Sequence, residues 1–174
     1  KTPCQSWFMD LNLVLGYWNA TKRTYHHTAP INPLYGLHEA LVMLKEEGLE
    51  NAWARHALNH RALKAGIEAM GLSFFVSEEQ RLPQLNAVTL PQGPDDAADS
   101  GVRWRLLADY NLESGAGLGD MAGKIWRIGL MGYSSREENV LLCLRALEET
   151  LAATGAQIKT DVAQAAAQGV YAVK

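Results

Sequence analysis

The sequence has 174 residues, of which 48% are hydrophobic and 20% are charged, and its formal net charge at pH 7 is −3. This length is sufficient for one globular domain with a substantial core, or for one domain and part of another. Because basic residues are scattered among acidic ones, we expect neither a nucleic-acid partner nor binding to an anionic membrane.

The apolar runs and the cysteines both indicate the cellular compartment of the protein. The longest apolar runs, LSFFV and VLLCL, are far shorter than the roughly 20 residues that a membrane-spanning helix needs. Cys4 and Cys143 are isolated and lack metal-ligand spacing, which suits a reducing compartment better than a disulfide framework. We therefore expect a cytoplasmic protein without a metal site.

The N-terminal segment has the features of a piece of a larger domain. It begins KTPCQSWFMD, with neither an initiator methionine nor a signal peptide, so we expect that the chain has been cut. Phe8, Leu11, Leu15 and Trp18 recur at helical spacing and predict a short amphipathic helix. The segment RTYHHTAP, from Arg23 to Pro30, concentrates hydrogen-bonding side chains without completing a catalytic group, so we expect its partners to lie elsewhere.

A long helix is predicted from Asn32 to Met70, because leucines recur along this stretch at helical spacing. Asn32 is the predicted N-cap, Pro33 suits the first helical position, and Gly71 suits the left-handed residue after the helix. At about 1.5 Å per residue, such a helix would be roughly 60 Å long, so we expect it to connect two bodies. Gly48 is expected to bend or interrupt it.

Beyond Gly71 the pattern predicts a compact α+β unit with the order β-β-α-β-β-α. The predicted strands lie at 72–76, at 86–90, in the NLES segment and in KIWRIGLMG. The helix between the second and third strands has Asp95 or Asp96 as its predicted N-cap. In the last helix, Ser135 and Glu138 have the spacing of a capping box.

Arg127 is the most informative candidate for a functional side chain. On a strand, Trp126 and Ile128 point to one face, while Arg127 and Gly129 point to the other, so we expect Gly129 to leave open space beside the guanidinium. An arginine in so apolar a strand is costly unless an anion meets its planar fork, and a carboxylate matches that fork through two parallel hydrogen bonds. The spacing alone leaves three possibilities: an ion pair with a residue such as Glu113, an exposed strand edge, or the carboxylate of a ligand.

The glycine-rich segment GAGLGDMAG, from Gly115 to Gly123, has the composition of a phosphate-binding loop. A dinucleotide-binding fingerprint needs a helix after the loop, whereas a strand is predicted here. We therefore interpret the segment as a turn whose glycines make room for a neighbouring group, and a nucleotide-binding domain is the weaker alternative.

Three other groups of reactive side chains are interpreted as structural. His56 and His60 have metal-ligand spacing on one helix face, but no third ligand is evident, so we expect them on a solvated surface. Ser134 and Ser135 lack the sequence that surrounds a nucleophilic serine and are better helix caps. Cys143 lies on the apolar stripe of the last helix and is expected in the core.

Four segments in order resemble the C-terminal half of the class V aminotransferases, in the alanine–glyoxylate and serine–pyruvate aminotransferase group. They are RTYHHTAPINPLYGLHEALVMLKEEGLENAWARH, RLPQLNAVTLP, ESGAGLGDMAGKIWRIGLMG and SREENVLLCLRALE. The resemblance, from about Lys1 to Gly155, implies the C-terminal part of a fold-type I transferase that depends on pyridoxal 5′-phosphate. It implies a homodimer that moves an amino group between a small amino acid, alanine or serine, and a 2-oxo acid, glyoxylate or pyruvate.

The resemblance also assigns residue roles. It implies that Tyr25 and Thr28 reach across the dimer to the cofactor phosphate of the neighbouring subunit, and that Arg127 holds the substrate α-carboxylate. The resemblance places the lysine that bonds the cofactor, an aspartate and a stacking aromatic residue in an N-terminal large domain, which we expect to lie upstream of this sequence. Lys1 lies too far along the matching stretch to be that lysine, so we expect no catalytic residue here and an inactive fragment.

In this interpretation, residues 1–31 end the large cofactor-binding domain and residues 32–71 form the long interdomain helix. Residues 72–155 form the small domain, and residues 156–174 form a tail whose alanine-rich part is predicted to be helical. The alternative hypothesis is a non-catalytic module with the same small-domain fold, which binds a carboxylate or mediates dimerisation.

Overall fold

A computed structural model describes residues 3–18, 21–22, 24–91 and 99–173. Lys1, Arg23 and the predicted helix caps Asp95 and Asp96 lie outside these residues. The chain divides into two compact units, Lys1–Glu46 and Glu47–Lys174. No helix within the described ranges combines the length and the apolar character that crossing a membrane requires.

The first unit contains a short helix and the start of a longer one. Helix α1, Leu11–Val14, is capped by the Asp10 carboxylate, which accepts a hydrogen bond from the Asn12 amide at 2.9 Å. The 3₁₀ turn Leu15–Tyr17 follows directly. The predicted amphipathic helix is therefore present in a shorter form.

Helix α2, Ile31–Glu47, begins one residue earlier than predicted. The Pro30 carbonyl accepts the first helical hydrogen bond, from the Leu34 amide at 3.1 Å. Asn32 therefore lies inside the first turn, and its predicted role as the N-cap is wrong. The predicted apolar stripe is present, but Leu34, Leu37 and Leu41 are exposed to solvent.

The predicted interruption of the long helix at Gly48 is confirmed. Gly48 has a φ of 83°, a left-handed conformation that glycine adopts without steric cost, and helix α3, Leu49–Ala69, starts immediately after it. Gly71 ends α3 as predicted, with a φ of 86°. The Gly71 amide donates to the Glu68 carbonyl and the Leu72 amide to the Ile67 carbonyl, which is the Schellman arrangement.

The second unit is built on a three-stranded antiparallel sheet with the order β1-β3-β2. The strands are β1, Leu85–Thr89; β2, Gly115–Ala116; and β3, Ile125–Gly129. Helix α4, Asp99–Tyr110, connects β1 to β2, and helices α5, Glu137–Ala153, and α6, Ala163–Ala172, follow β3. The unit is therefore the mixed α and β fold that the sequence predicts.

Two of the four predicted strands are shorter than expected. The segment 72–76 pairs with β1 only at the bridge between Phe74 and Val88, where the Phe75 amide donates to the Ala87 carbonyl at 2.9 Å. The first residues of the NLES segment cap the C-terminal end of α4. Asn111 has a φ of 52°, and the Leu112 amide donates to the Leu106 carbonyl. Pairing with β3 therefore starts only at Gly115.

The core lies between one face of the sheet and the helices. Trp126 and Ile128 of β3 are buried on that face, as the predicted alternation requires. Helices α3 and α5 pack closely at Gly66, where a Cβ would clash with the Leu144 side chain of α5. The segment expected to be a tail also enters this core through α6, which contributes the buried residues Ala163, Ala167 and Tyr171.

The predicted Ser135 cap is wrong, because α5 has Arg136 at its N-cap and no capping side chain. Ser135 is fully buried, and its hydroxyl accepts a hydrogen bond from the Asn59 amide at 3.1 Å. The Tyr171 hydroxyl donates to the side-chain oxygen of Asn59 at 2.7 Å. Ser135, which precedes α5, therefore links the start of that helix to α3 and α6 through Asn59.

An ion pair spans the Gly48 break. The Arg55 guanidinium donates from Nε to one oxygen of Glu47 at 2.5 Å and from Nη2 to the other at 2.8 Å. Nη1 donates to the carbonyls of Gly132 and Ser135 at 2.8 and 2.9 Å. The hydrogen bonds from Arg55 hold the pKa of the Glu47 carboxyl below its ordinary value. Arg55 therefore fastens α3 to the loop that follows β3.

We predict that Glu47→Gln lowers the stability of the protein near pH 7 and has no effect in acid. A carboxyl with a lowered folded-state pKa stabilises the fold above its unfolded pKa, and the stabilisation is lost as the pH falls through the lowered value. Denaturant unfolding of both proteins at pH 7 and at about pH 2 measures the difference. Glu46→Gln is the matched control, because Glu46 is exposed. A difference that persists unchanged in acid would contradict this role for the pair.

Candidate functional site

Arg127 lies at the middle of β3, which is the central strand of the sheet. Its neighbours in register are Ala87 on β1 and Gly115 on β2. Both neighbours are small, so neither fills the space on the face to which Arg127 points. Because β3 is the central strand, Arg127 does not lie on an exposed strand edge, which was one of the three possibilities that its spacing left.

The Arg127 guanidinium is half-buried and makes one hydrogen bond within the described chain. Its Nε donates to the Ala116 carbonyl on β2 at 2.7 Å. No described carboxylate forms an ion pair with it, Glu113 included. The two terminal nitrogens, Nη1 and Nη2, make no hydrogen bond to a described residue. The fork is thus oriented by the backbone, while its two terminal nitrogens keep the donor geometry that matches a planar anion.

Gly115 makes room for Arg127, whereas the sequence indicated Gly129 for this role. A Cβ on Gly115 would lie 3.2 Å from Nη2 and 3.3 Å from Nε of Arg127. A Cβ on Gly129 would meet only the Met131 methyl group, at 3.8 Å. Cross-strand register, which the sequence does not state, decides this difference.

The predicted turn in the glycine-rich segment is confirmed. Residues 117–124 connect β2 to β3, with a 3₁₀ turn at Gly119–Met121. A Cβ on Gly117 would overlap the Met121 carbonyl, which explains why glycine is needed at this position. No helix opens from the segment, so it lacks the helix N-terminus on which a dinucleotide-binding loop depends.

Tyr25 and Thr28 are brought together in the first unit. Their hydroxyl groups are hydrogen-bonded to each other, and both side chains are exposed. They border a cavity of about 520 Å³, which is also lined by Val14, Tyr17, Trp18, His27 and Ala29. Each hydroxyl has one proton, so both can donate to one multivalent oxyanion if the bond between them is exchanged for bonds to that anion.

Tyr17 is a residue of this region that the sequence analysis did not identify. Its hydroxyl donates to the His27 carbonyl at 2.7 Å and accepts from the amides of His26 and His27 at 2.9 and 3.0 Å. The only signal in the sequence is a tyrosine within an otherwise apolar helical pattern, which does not reveal its partners.

The interpretation of His56 and His60 as solvated surface is wrong, because both rings are half-buried and hydrogen-bonded. Nδ1 of His56 donates to the Ala52 carbonyl at 2.6 Å, and Nε2 accepts from the Gly132 amide at 3.1 Å. Nδ1 of His60 lies 2.8 Å from the Asn86 side-chain oxygen. Across the described residues, no group of three or more His, Cys, Asp or Glu is arranged to bind a metal.

Cys143 is buried in the core, as predicted. It lines a cavity of about 270 Å³ together with Ser114 and Ser134. Burial raises the pKa of the Cys143 thiol to about 12, so the thiol stays protonated near neutral pH. This environment does not favour a nucleophilic cysteine.

Comparison with known proteins finds close relatives, although no family model matches. The chain is 42% identical over 169 residues to the (S)-ureidoglycine–glyoxylate transaminase of Bacillus subtilis, covering 97% of this chain and 40% of that protein. The structure of ureidoglycine–glyoxylate aminotransferase from Bacillus subtilis matches with a TM-score of 0.88 and 41% identity over 98% of this chain and 43% of that one. The structure of an alanine–glyoxylate aminotransferase from Nostoc sp. matches with a TM-score of 0.78 and 47% identity. This match covers 87% of this chain and 39% of that one.

These matches confirm the class: the fold is that of the C-terminal part of the pyridoxal-phosphate-dependent aminotransferases. Within that class, the chain is homologous to the C-terminal half of class V enzymes of the glyoxylate-using group. It spans about two fifths of the length of the relatives it matches.

We predict that Gly115→Ala moves the Arg127 side chain and destabilises the protein by about 1 kcal/mol, because the new Cβ would crowd the guanidinium. Loss of the bond to the Ala116 carbonyl would appear as faster exchange of the Arg127 Nε proton in NMR spectra. Gly129→Ala is the matched control, since the space at that position is open. Equal exchange rates in the two variants would show that Gly115 does not set the position of Arg127.

Proposed function

We propose that this chain is the C-terminal part of a pyridoxal-phosphate-dependent aminotransferase that moves an amino group from a small amino acid to glyoxylate or a related 2-oxo acid. The observation that carries the proposal is the Arg127 fork, which is held by the Ala116 carbonyl and has no carboxylate partner among the described residues. Two relatives, a ureidoglycine–glyoxylate transaminase and an alanine–glyoxylate aminotransferase, both use glyoxylate according to their names, which supports the choice of glyoxylate.

In this proposal, Arg127 binds the α-carboxylate that all these substrates share. Because Nε is already bonded to the Ala116 carbonyl, the carboxylate approaches the end of the fork that carries Nη1 and Nη2. Two parallel hydrogen bonds fix the plane of the carboxylate and therefore the direction of the bond from the carboxylate carbon to the α-carbon. The role of Arg127 is thus to orient the substrate, and it takes no proton.

Tyr25 and Thr28 would hold the cofactor phosphate. The fit rests on their hydroxyl groups, which lie within hydrogen-bonding distance of each other at the rim of the 520 Å³ cavity. A phosphate has enough oxygen atoms to accept a hydrogen bond from each hydroxyl. When bound, pyridoxal 5′-phosphate supplies the electron sink for amino-group transfer. The phosphate is proposed to belong to the other subunit of a homodimer.

The remaining catalytic groups are proposed to lie in an N-terminal large domain, on which the chain depends for activity. This assignment is supported by the coverage of the relatives, of which the chain matches about two fifths. Residues 1–31 would complete that domain, and residues 72–155 would form the small domain after the connecting helix at 32–71. We further propose a cytoplasmic location for the complete enzyme.

In the complete enzyme, we predict that Arg127→Ala weakens amino-acid binding by about 2–4 kcal/mol, because a charge-assisted pair is lost. The apparent dissociation constant for alanine, read from the change in cofactor absorbance, measures this loss. Arg127→Lys keeps the charge but not the fork, so it should restore binding only in part. Retention of the cofactor should not change.

Arg61→Ala is the matched control, because Arg61 is exposed on α3. An Arg127→Ala enzyme that binds alanine as tightly as the Arg61→Ala enzyme would contradict the proposed carboxylate site. A complete protein that takes up no pyridoxal 5′-phosphate would instead favour a non-catalytic module with the same fold.

A further inference from the structure

The Tyr17 hydroxyl group is bonded three times to one short stretch of backbone. It accepts from the amides of His26 and His27 at 2.9 and 3.0 Å, and it donates to the His27 carbonyl at 2.7 Å. A phenol has one proton and two lone pairs, so these three bonds use its full capacity. The Tyr17 oxygen therefore has nothing left to offer a ligand, although its ring lines the cavity.

The residues that Tyr17 holds are the two between Tyr25 and Thr28. Fixing the backbone of residues 26 and 27 sets the directions in which the side chains of Tyr25 and Thr28 leave the chain. The hydrogen bond between those two side chains depends on that geometry. No helix or strand of the described chain includes this segment, so Tyr17 replaces the hydrogen bonds that regular structure would supply.

Aromatic packing supports the segment independently of Tyr17. The Trp7 ring meets the His26 ring with centroids 4.1 Å apart, and the Phe8 ring meets the His27 ring at 4.4 Å. His26 is buried. These contacts anchor the two histidine side chains, whereas the Tyr17 hydroxyl is the group among the described residues that bonds to the backbone of residues 26 and 27. Loss of that hydroxyl should therefore loosen the backbone geometry without unfolding the segment.

We propose that Tyr17 is a positioning residue for phosphate binding by Tyr25 and Thr28, an inference that rests on the proposed function. It acts through the backbone of residues 26 and 27 and does not contact the phosphate. Removal of its oxygen leaves two amides and one carbonyl without this partner. The two hydroxyl groups then lose their fixed separation, and the phosphate loses a preorganised pair of donors.

The test is to titrate the cofactor-free complete enzyme with pyridoxal 5′-phosphate and, separately, with pyridoxal, which lacks the phosphate. Binding is read from absorbance, so no catalytic activity is required. For Tyr17→Phe we expect the dissociation constant for pyridoxal phosphate to rise by about 5- to 30-fold, as for the loss of one or two hydrogen bonds. The constant for pyridoxal should stay at the wild-type value. Tyr35→Phe is the matched control, because Tyr35 is 73% exposed on α2.

Two results would overturn the role of Tyr17: unchanged binding of both compounds, or an equal loss for both, which indicates general damage to the fold. A Tyr25→Phe enzyme separates this inference from the proposed function. If Tyr25→Phe weakens binding of pyridoxal phosphate and Tyr17→Phe does not, only the role of Tyr17 is wrong. If Tyr25→Phe has no effect, the phosphate site itself is wrong, and the role of Tyr17 falls with it.

Discussion

The hydrogen bond from Arg127 Nε to the Ala116 carbonyl is the interaction on which the proposed carboxylate site depends. A half-buried guanidinium without a counter-ion is costly, because burial removes part of its hydration. The small neighbours Ala87 and Gly115 leave space around the charge, and the backbone carbonyl keeps the fork in one orientation. A site that already bears the cost of ordering its arginine loses less entropy when a carboxylate binds.

The two candidate sites use the main chain in different ways to orient their side chains. Arg127 is directed by a carbonyl of the adjacent strand, within the sheet of the second unit. Tyr25 and Thr28 lie outside regular structure, and the backbone between them is bonded to the Tyr17 hydroxyl. A phosphate presents acceptor oxygens in more directions than a planar carboxylate does. A pair of hydroxyl groups on a supported loop is therefore a suitable binding site for it.

Local chemistry explains which parts of the fold could be predicted from the sequence. The break at Gly48 and the helix end at Gly71 depend on left-handed backbone that glycine adopts without strain, and both predictions are confirmed. The predicted cap at Ser135 is wrong because its hydroxyl is bonded to Asn59 on another helix. Tertiary contacts of this kind have no signature in residue spacing.

The candidate site was less predictable, because cross-strand register decides that Gly115 rather than Gly129 makes room for Arg127. The hydrogen bonds of Tyr17 likewise join residues with no regular spacing.

A crystal structure of the complete enzyme with an unreactive 2-oxo acid is the most direct measurement of the central claim. We expect both carboxylate oxygens to lie about 3 Å from Nη1 and Nη2 of Arg127, while Nε remains bonded to the Ala116 carbonyl. A carboxylate bound elsewhere, or an Arg127 that is paired with a carboxylate of the protein in the complete enzyme, would contradict it.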